Sequence, residues 1–285
     1  MSDAESRIGI DFRDNLFYVA RIDHHAARQE IKALLRLERE HLGEHHLLNG
    51  GRGILSVPDE MVMVKRVNLN GSDDIDQRVK FEFIQSLPEE SSQYLFDVKE
   101  SGLDGRYLGM AIRRDRLQEY KIKALGDKVE LFDEAGHTMR AAALAAGYTE
   151  FCRKSGGDLI CLADFIGSAA SLAFVYQNAL IDLCHFPLSK FDPGTSDGFR
   201  KMAVELKTLI NFRMASLFSD GVTTPLSNLL VSGEGVDDRF LERLREFFSI
   251  DVTRPSINPG FFSGQTDLTN VPLEKYLVAL GLAAN

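Results

Sequence analysis

The feature that most constrains this chain is a pattern of three short apolar segments, separated by turns, that occurs twice. Branched and aromatic residues dominate each segment, which is typical of strands in an antiparallel meander. The segments span residues 8–12, 16–23 and 31–37 in the first copy and 159–166, 171–176 and 180–186 in the second. Aligning the copies places Asp164 over Asp11 and residues 172–175 over 19–22, so an aspartate ends the first strand of both. A repeated meander followed by helices predicts two related lobes that face each other across a cleft.

The segment between the two meanders predicts a small α+β unit inserted into the first lobe. Its pattern is a strand at 61–69, a helix that begins at Ser72 or Asp73, strands at 94–99 and 107–112, and a helix at 114–125. A strand at 129–132 and a helix at 139–146, which Gly147 is expected to end, return the chain to the first lobe. We therefore predict an α/β protein with a first lobe at 1–58 and 127–150, an inserted subdomain at 59–126 and a second lobe at 151–285.

The composition excludes several classes of protein. Lys and Arg number 33 against 42 Asp and Glu, which leaves a net charge of −9 and no basic excess to attract nucleic acid. The three cysteines have no CxxC spacing, so we expect reduced thiols in a cytoplasmic chain. The N-terminus does not resemble a signal peptide, and the apolar runs are much shorter than the roughly 20 residues of a membrane helix. The spacing of His41, His45 and His46 would suit zinc on a helix, but Gly43 favours a solvated loop.

Five segments, in this order and spacing, carry a resemblance to a known family. They are IGIDFRDNLFYVARI, SVPDEMVMVKRVNL with the following helix and YLFDV, LICLADFIGSAASLAFV, NLLVSGEGVDDRFLERLREFFSIDV, and SINPG with YLVALGLAA. Over nearly the whole chain they resemble the PilM branch of the actin-like, ribonuclease-H-type ATPase superfamily. The resemblance implies duplicated actin-like lobes with an inserted small α+β subdomain, and a role in type IV pilus assembly.

The resemblance also implies a nucleotide site in the cleft. In such a site two β-turns bring backbone N–H groups to the phosphates, and an aspartate near each turn holds hydrated Mg²⁺. Asp11 and Asp164 would then be the carboxylates on the metal side, with ATP and Mg²⁺ as cofactors. The implied phosphate contacts are Arg13, Asp14, Asn15, Gly167 and Ser168, and the implied adenine-side contacts are Gly233, Glu234 and Gly235. Aspartates commonly cap turns as well, so a purely structural role for Asp11 and Asp164 stays open.

The phosphate hairpins depart from the family's pattern. Arg13 stands where a glycine is expected, and the neighbouring Asp14 carries a charge that repels phosphate. In the second hairpin Ile166 replaces the expected glycine. We therefore expect a pseudo-ATPase with weak or no ATP hydrolysis and no catalytic residue. The alternative is an active Mg-ATP-dependent ATPase or kinase of the same superfamily.

A partner is implied too. In this family the groove between the inserted subdomain and the first lobe binds the short cytoplasmic tail of an inner-membrane pilus protein. The apolar residues expected in its wall, each equally suited to a core, are Met61, Val62, Val64, Phe81, Phe83, Ile84, Phe96 and Ile112. The predicted function is a cytoplasmic scaffold of a type IV pilus or related secretion machine, at the inner membrane through its partner and connected to an assembly ATPase. A type II secretion platform protein and an actin-family cell-division protein are further alternatives.

Overall fold

The computed structural model describes residues 5–25, 28–42, 52–69, 74–126, 136–152, 158–262 and 271–284. The strands are β1 (Glu5–Arg13), β2 (Leu16–His25), β3 (Arg28–Glu38), β4 (Arg52–Val57), β5 (Met63–Asn68), β6 (Tyr94–Glu100), β7 (Arg106–Arg113), β8 (Gly136–Met139), β9 (Leu159–Ile166), β10 (Ala169–Tyr176), β11 (Ala179–Pro187), β12 (Leu226–Gly233) and β13 (Asp251–Thr253). The helices are α1 (Ile75–Ile84), α2 (Arg114–Leu125), α3 (Arg140–Phe151), α4 (Ser196–Ser219), α5 (Asp238–Arg245) and α6 (Leu277–Ala284).

The two copies of the repeat form two five-stranded sheets of the same topology. The first sheet has the order β3-β2-β1-β4-β8, and the second has the order β11-β10-β9-β12-β13. Tyr18 lies opposite Asp11 in the first hairpin and Ser171 lies opposite Asp164 in the second, which is the alignment that the sequence predicted. We call these sheets, with the helices that cover them, the first and second lobes. The predicted α/β fold of duplicated lobes is confirmed.

The inserted subdomain is a three-stranded antiparallel sheet, in the order β5-β7-β6, with α1 on one face. Val79 and Phe83 are the buried positions of α1. The subdomain also contacts the second lobe, where Arg66 and Arg106 both bind the Asp220 carboxylate, at 2.9 and 3.0 Å. It is attached to the first lobe through the chain and through α2, whose Tyr120 and Leu125 lie in that lobe's core, and to the second lobe through ion pairs.

Two helices, α3 and α6, lie in a core shared by both lobes. The prediction that α3 ends at Gly147 is wrong, because the helix continues to Phe151. A Cβ at Gly147 would lie 2.0 Å from the Leu277 carbonyl oxygen, and one at Gly281 would lie 1.8 Å from the Ala143 carbonyl oxygen. These glycines therefore allow the two helix backbones to touch, which is why a glycine is retained inside the helix.

Some predictions fall on residues outside the described ranges: the helix start at Ser72 or Asp73, the strand at 129–132, and His45 with His46. The first described residue before α1 is its N-cap, Asp74, whose carboxylate accepts from the Gln77 N–H at 3.1 Å. The three cysteines are free and buried. Over the described ranges, no helix is long and apolar enough to cross a membrane, and no three His, Cys, Asp or Glu side chains are grouped to hold a metal ion.

Candidate functional site

The two aspartates marked by the repeat lie at the ends of β1 and β9, where the lobes meet. Neither Asp11 nor Asp164 is exposed to solvent. Each accepts a hydrogen bond from a serine on the neighbouring parallel strand, Ser56 in the first lobe and Ser232 in the second, and both O···O distances are 2.8 Å. The duplicated sheet thus produces the same Asp–Ser arrangement twice, once in each lobe.

Two buried arginines join the aspartates of the two lobes. Arg13 Nε donates to Asp11 Oδ2 at 2.8 Å, and its Nη2 lies 3.4 Å from Asp164 Oδ2. Arg140, the first residue of α3, donates to both oxygens of Asp11, with Nη2 2.6 Å from Oδ2. The same Nη2 lies 3.2 Å from Asp164 Oδ2. We call these four side chains the arginine–aspartate cluster; its formal charges sum to zero.

The cluster keeps its charges by mutual compensation. Burial by itself raises the pKa of Asp11, but the charges of Arg140 and Arg13 outweigh it and hold that pKa below its ordinary value. Burial opposes the charge on Arg13 as well, yet Asp164 and Asp11 raise its pKa above the ordinary value. A cation at the first residue of a helix is disfavoured by the helix dipole. The aspartates are therefore what hold Arg140 in place.

The two hairpin turns predicted to bind phosphate approach each other. Asp14 and Asn15 connect β1 to β2, and Gly167 and Ser168 connect β9 to β10. Asp14 and Gly167 occupy equivalent positions and share a left-handed backbone, with φ of 55° and 46°. A Cβ at Gly167 would lie 3.4 Å from both carboxylate oxygens of Asp14. A negative side chain thus lies against the second turn, where the resemblance places a phosphate.

The turn predicted to contact adenine, Gly233 to Gly235, makes contacts within the protein. Gly233 has φ of 118°, and a Cβ there would lie 2.0 Å from the Phe165 carbonyl oxygen, so glycine is needed for β12 to pack on β9. The Glu234 carboxylate accepts from the Tyr18 hydroxyl of the first lobe and lies 3.4 Å from Lys275 Nζ. Burial, with this hydrogen bond, raises the pKa of Tyr18 to about 12. Glu234 therefore connects the two lobes.

ATP with Mg²⁺ does not fit this arrangement. Each oxygen of Asp11 and Asp164 already accepts from a serine hydroxyl or a guanidinium. A cation beside them would also meet the two arginines, which repel it. Each guanidinium has one buried N–H group, on Arg13 Nη1 and Arg140 Nε, for which the described residues provide no acceptor. The Arg13 guanidinium in turn lies over the Tyr18 ring, 4.5 Å from its centre.

A second candidate site is a groove of about 440 Å³ between the inserted subdomain and the first lobe. It lies between the edge strands β6 and β8, and within the described ranges neither strand pairs with another on its outer side. Its lining is mainly apolar, and its polar residues are Asp97 on β6 and His137 and Thr138 on β8. The lining residues are Val57, Val62, Leu95, Phe96, Asp97, Met110, Ala111, Ile112, Gly136, His137, Thr138 and Met139. Burial, with some repulsion from Lys121, lowers the pKa of His137.

The structure brings three of the eight predicted partner-binding residues, Val62, Phe96 and Ile112, into this groove. The other five lie elsewhere. Met61 and Val64 pack against neighbouring core clusters, and Phe83 is buried in the core of the inserted subdomain. Phe81 and Ile84 are 58% and 44% exposed on α1 and do not line the groove.

Sequence reasoning missed Arg140, Ser56 and Ser232 as members of this site. The available signal for Arg140 was a single arginine directly before the alanine-rich run of α3, on a helix that is otherwise almost entirely buried. A charged residue at the buried start of an apolar helix needs a partner of opposite charge. For Ser56, the signal was its place at the end of β4, which matches that of Ser232 on β12.

Comparison with known proteins supports the same fold. No protein-family model matches the sequence, and no curated protein matches it significantly. A chain of a PilM–PilN type IV pilus biogenesis complex is 13% identical, with a TM-score of 0.67 over 97% of both chains. A Bacteroides thetaiotaomicron protein with an actin-like ATPase fold and unknown function is 10% identical, with a TM-score of 0.54 over 87% of this chain and 90% of that one.

The duplicated lobes and these matches define the class: the chain has the actin-like ATPase fold. Among the proteins of that fold, the predicted resemblance to PilM is confirmed at the level of the fold. Identities of 10 to 13% do not transfer the role of any residue from those proteins to this one.

Proposed function

We propose that this protein is a cytoplasmic scaffold of a type IV pilus or a related secretion machine, which binds the cytoplasmic tail of an inner-membrane protein. The observation that carries the proposal is the groove between the edge strands β6 and β8. The likeness in fold to a chain of a PilM–PilN complex supports it. The scaffold would act by recruitment, holding a membrane protein on one side and contacting an assembly ATPase by another surface.

The chemistry of the groove suits a short extended peptide. An unpaired sheet edge offers backbone N–H and C=O groups to an added strand, while apolar pockets select its side chains. Here two edges flank one apolar floor, formed in part by Val62, Leu95 and Ile112. Asp97 is exposed on β6 at this groove and favours a basic residue in the bound peptide. We therefore propose a tail segment with alternate apolar residues and an adjacent Lys or Arg.

The proposal also holds that the chain hydrolyses ATP weakly or not at all. Its support is the arginine–aspartate cluster, in which both carboxylates expected to hold Mg²⁺ are bound to guanidinium groups. An active Mg-ATP-dependent ATPase or kinase would need at least one of these carboxylates free to hold the cation. No observation on the described residues favours that alternative.

Membrane recruitment tests the groove directly. When the protein is co-expressed with its candidate inner-membrane partner, we expect it in the membrane fraction, and deletion of the partner's cytoplasmic tail should release it. Val62→Asp and Leu95→Asp place a charge in the apolar groove, where both residues are partly exposed, and should release it equally. Circular dichroism of the purified variants checks that they fold.

Phe81→Asp is the matched control. It introduces the same charge at an apolar residue of the inserted subdomain that is 58% exposed but lies outside the groove. This variant should remain with the membrane fraction. The proposal is refuted if the Phe81→Asp protein leaves the membrane fraction while the Val62→Asp and Leu95→Asp proteins remain in it. The docking site would then lie on α1 and not in the groove.

A further inference from the structure

The arginine–aspartate cluster poses a problem of charge. Its two carboxylates come from different lobes, yet both lie within 3.2 Å of the same guanidinium nitrogen, Arg140 Nη2, and are excluded from solvent. Two carboxylates so close in a medium of low polarity cannot both stay ionised unless positive charge lies between them. A protein can supply that charge with a bound metal ion or with its own side chains.

In this chain the positive charge comes from two independent places. Arg13 follows Asp11 by two residues on β1, and Arg140 begins α3. Each arginine contacts both aspartates, so each one spans the two lobes. Both arginines are buried, at 2% and 5% exposure. Arg140 also favours the charged form of Asp59, and Arg13 that of Glu234. The ion pairs that the two arginines share are those with Asp11 and Asp164.

We infer that Arg13 and Arg140 replace a bound divalent cation, so that the chain's own side chains hold the two lobes together and the cleft has no use for a metal–nucleotide complex. Two guanidinium charges balance two carboxylates, as one divalent cation would. The inference concerns the cleft alone and does not depend on the groove or on any partner.

Two further contacts act in the same direction. Arg13 Nη2 donates to the Lys275 carbonyl oxygen at 2.7 Å, which connects β1 to the segment before α6. Tyr18 of the first lobe donates to Glu234 of the second, and Lys275 lies beside the same carboxylate. These contacts join the first lobe to the turn after β12 and to the segment before α6, so the chain's own side chains connect the lobes beside the cluster.

The inference predicts a latent metal site, which appears only when one arginine is removed. In Arg140→Gln, a buried pair of carboxylates faces one remaining guanidinium, which leaves a net charge of −1 that attracts a small divalent cation. We expect its melting temperature to rise by roughly 3 °C or more when 5 mM MnCl₂ replaces EDTA. The wild-type protein should show no shift with MnCl₂ or with Mg-ATP.

Matched variants separate this effect from general stabilisation by salt. Arg140→Gln combined with Asp164→Asn removes one of the two carboxylates and should lose the response to MnCl₂, whereas Arg140→Lys keeps a positive charge and should not gain it. If Arg140→Gln does not fold, Arg13→Gln provides the same test from the other side of the cluster. Calorimetric titration of the wild-type protein with Mg-ATP is independent of every variant and should detect no binding.

Two results would overturn the inference. The first is binding of Mg-ATP or Mn²⁺ by the wild-type protein, because the arginines would then not have taken the place of the cation. The second is a folded Arg140→Gln or Arg13→Gln variant whose melting temperature is unaffected by Mn²⁺. Neither result concerns recruitment to the membrane, so failure here is distinguishable from failure of the proposed recruitment; binding of Mg-ATP would also remove the support for the absence of ATP hydrolysis.

Discussion

The first hairpins of the two lobes share one framework but carry different chemistry. Both carry, two residues before the end of the first strand, a buried aspartate bound by a serine at 2.8 Å, and both close through a two-residue turn. Two residues after the aspartate, the first lobe has Arg13, whereas the second has Ile166. The first hairpin therefore brings its own counter-charge, and the second depends on charges that reach it from the first lobe.

This difference concentrates the electrostatics on one aspartate. Asp11 accepts hydrogen bonds from Ser56, Arg13 and both Nη atoms of Arg140. Asp164 accepts from Ser232, and its two guanidinium contacts are longer, at 3.2 and 3.4 Å. The comparison teaches that a duplicated fold can keep its backbone geometry while one copy takes over most of the charge compensation.

The largest predicted effect tests this asymmetry directly. Asp11→Ala leaves two buried guanidiniums with one carboxylate, and we expect it to lower the free energy of unfolding by about 3–5 kcal/mol. Asp164→Ala removes the longer contacts and should cost roughly half as much. Urea denaturation followed by circular dichroism measures both. Equal losses would show that the two lobes share the compensation evenly.

Contacts that cross between the lobes give the second prediction. Tyr18 and Ser171, the strand-pairing partners of Asp11 and Asp164, each form a hydrogen bond to an acidic residue of the other half of the molecule. Tyr18 binds Glu234, and Ser171 binds Asp59, the second residue after β4. Burial raises the pKa of Asp59 to about 7, although Ser171, the Ala141 N–H group and Arg140 favour the charged form and Glu60 opposes it. The pKa of Glu234 stays lowered, because Tyr18 and Lys275 outweigh its partial burial.

Asp59 should therefore make stability depend on pH. The pKa of Asp59 in the folded state lies above its unfolded value of 3.8. Its contribution to stability is therefore complete below pH 3.8 and is lost as pH rises through about 7. Such a shift corresponds to a change on the order of 4 kcal/mol. Asp59→Asn can keep the hydrogen bond from Ala141 without a charge, and its gain in stability over the wild type should be smaller at pH 5 than at pH 8.

The pH series needs a neutral substitution elsewhere as its control. Asp76→Asn changes an exposed carboxylate on α1 and should follow the wild-type curve at every pH. If Asp59→Asn also follows the wild-type curve, Asp59 is ionised at pH 5 in the folded protein. The contact of Ser171 with Asp59 and that of Tyr18 with Glu234 would then both involve a charged carboxylate.

The two serines provide the next prediction, in which the lobes should behave alike. Ser56→Ala and Ser232→Ala each remove one hydroxyl from a buried carboxylate, and each should cost about 1.5–3 kcal/mol, the usual contribution of a hydrogen bond to a charged group. Thermal and urea unfolding of both variants measure the loss. A difference above about 1 kcal/mol between the two would show that the shared framework is itself unequal.

The smallest loss in the free energy of unfolding is expected when the hydroxyl of Tyr18 is removed. Tyr18→Phe removes the hydroxyl that reaches Glu234 but keeps the ring beneath the Arg13 guanidinium, so it should cost about 1 kcal/mol. Tyr18→Ala also removes the ring and its packing, and should cost several times more, at about 3–5 kcal/mol. Similar losses for the two variants would place the importance of Tyr18 in the hydroxyl alone.

Much of the fold could be predicted from the sequence, but the local and the distant parts differ. The two meanders and the order of strands and helices in the inserted subdomain follow from apolar periodicity, which is a local property. Gly147 shows the limit, because a glycine that looks like a helix end is in fact the place where α6 crosses α3. The groove shows it again, since Phe81 and Phe96 look equally suitable in the sequence and only the second lines it.

The sequence by itself determined the duplication and the two aspartates, because strand alternation and turn residues are set by neighbours in the chain. The tertiary structure alone decided what those aspartates bind. Asp11 and Arg140 are 129 positions apart, and no pattern in the sequence links them. Packing of α3 in the core shared by both lobes brings them together, and burial then makes the ion pair obligatory, because a lone charge there would have no solvent to stabilise it.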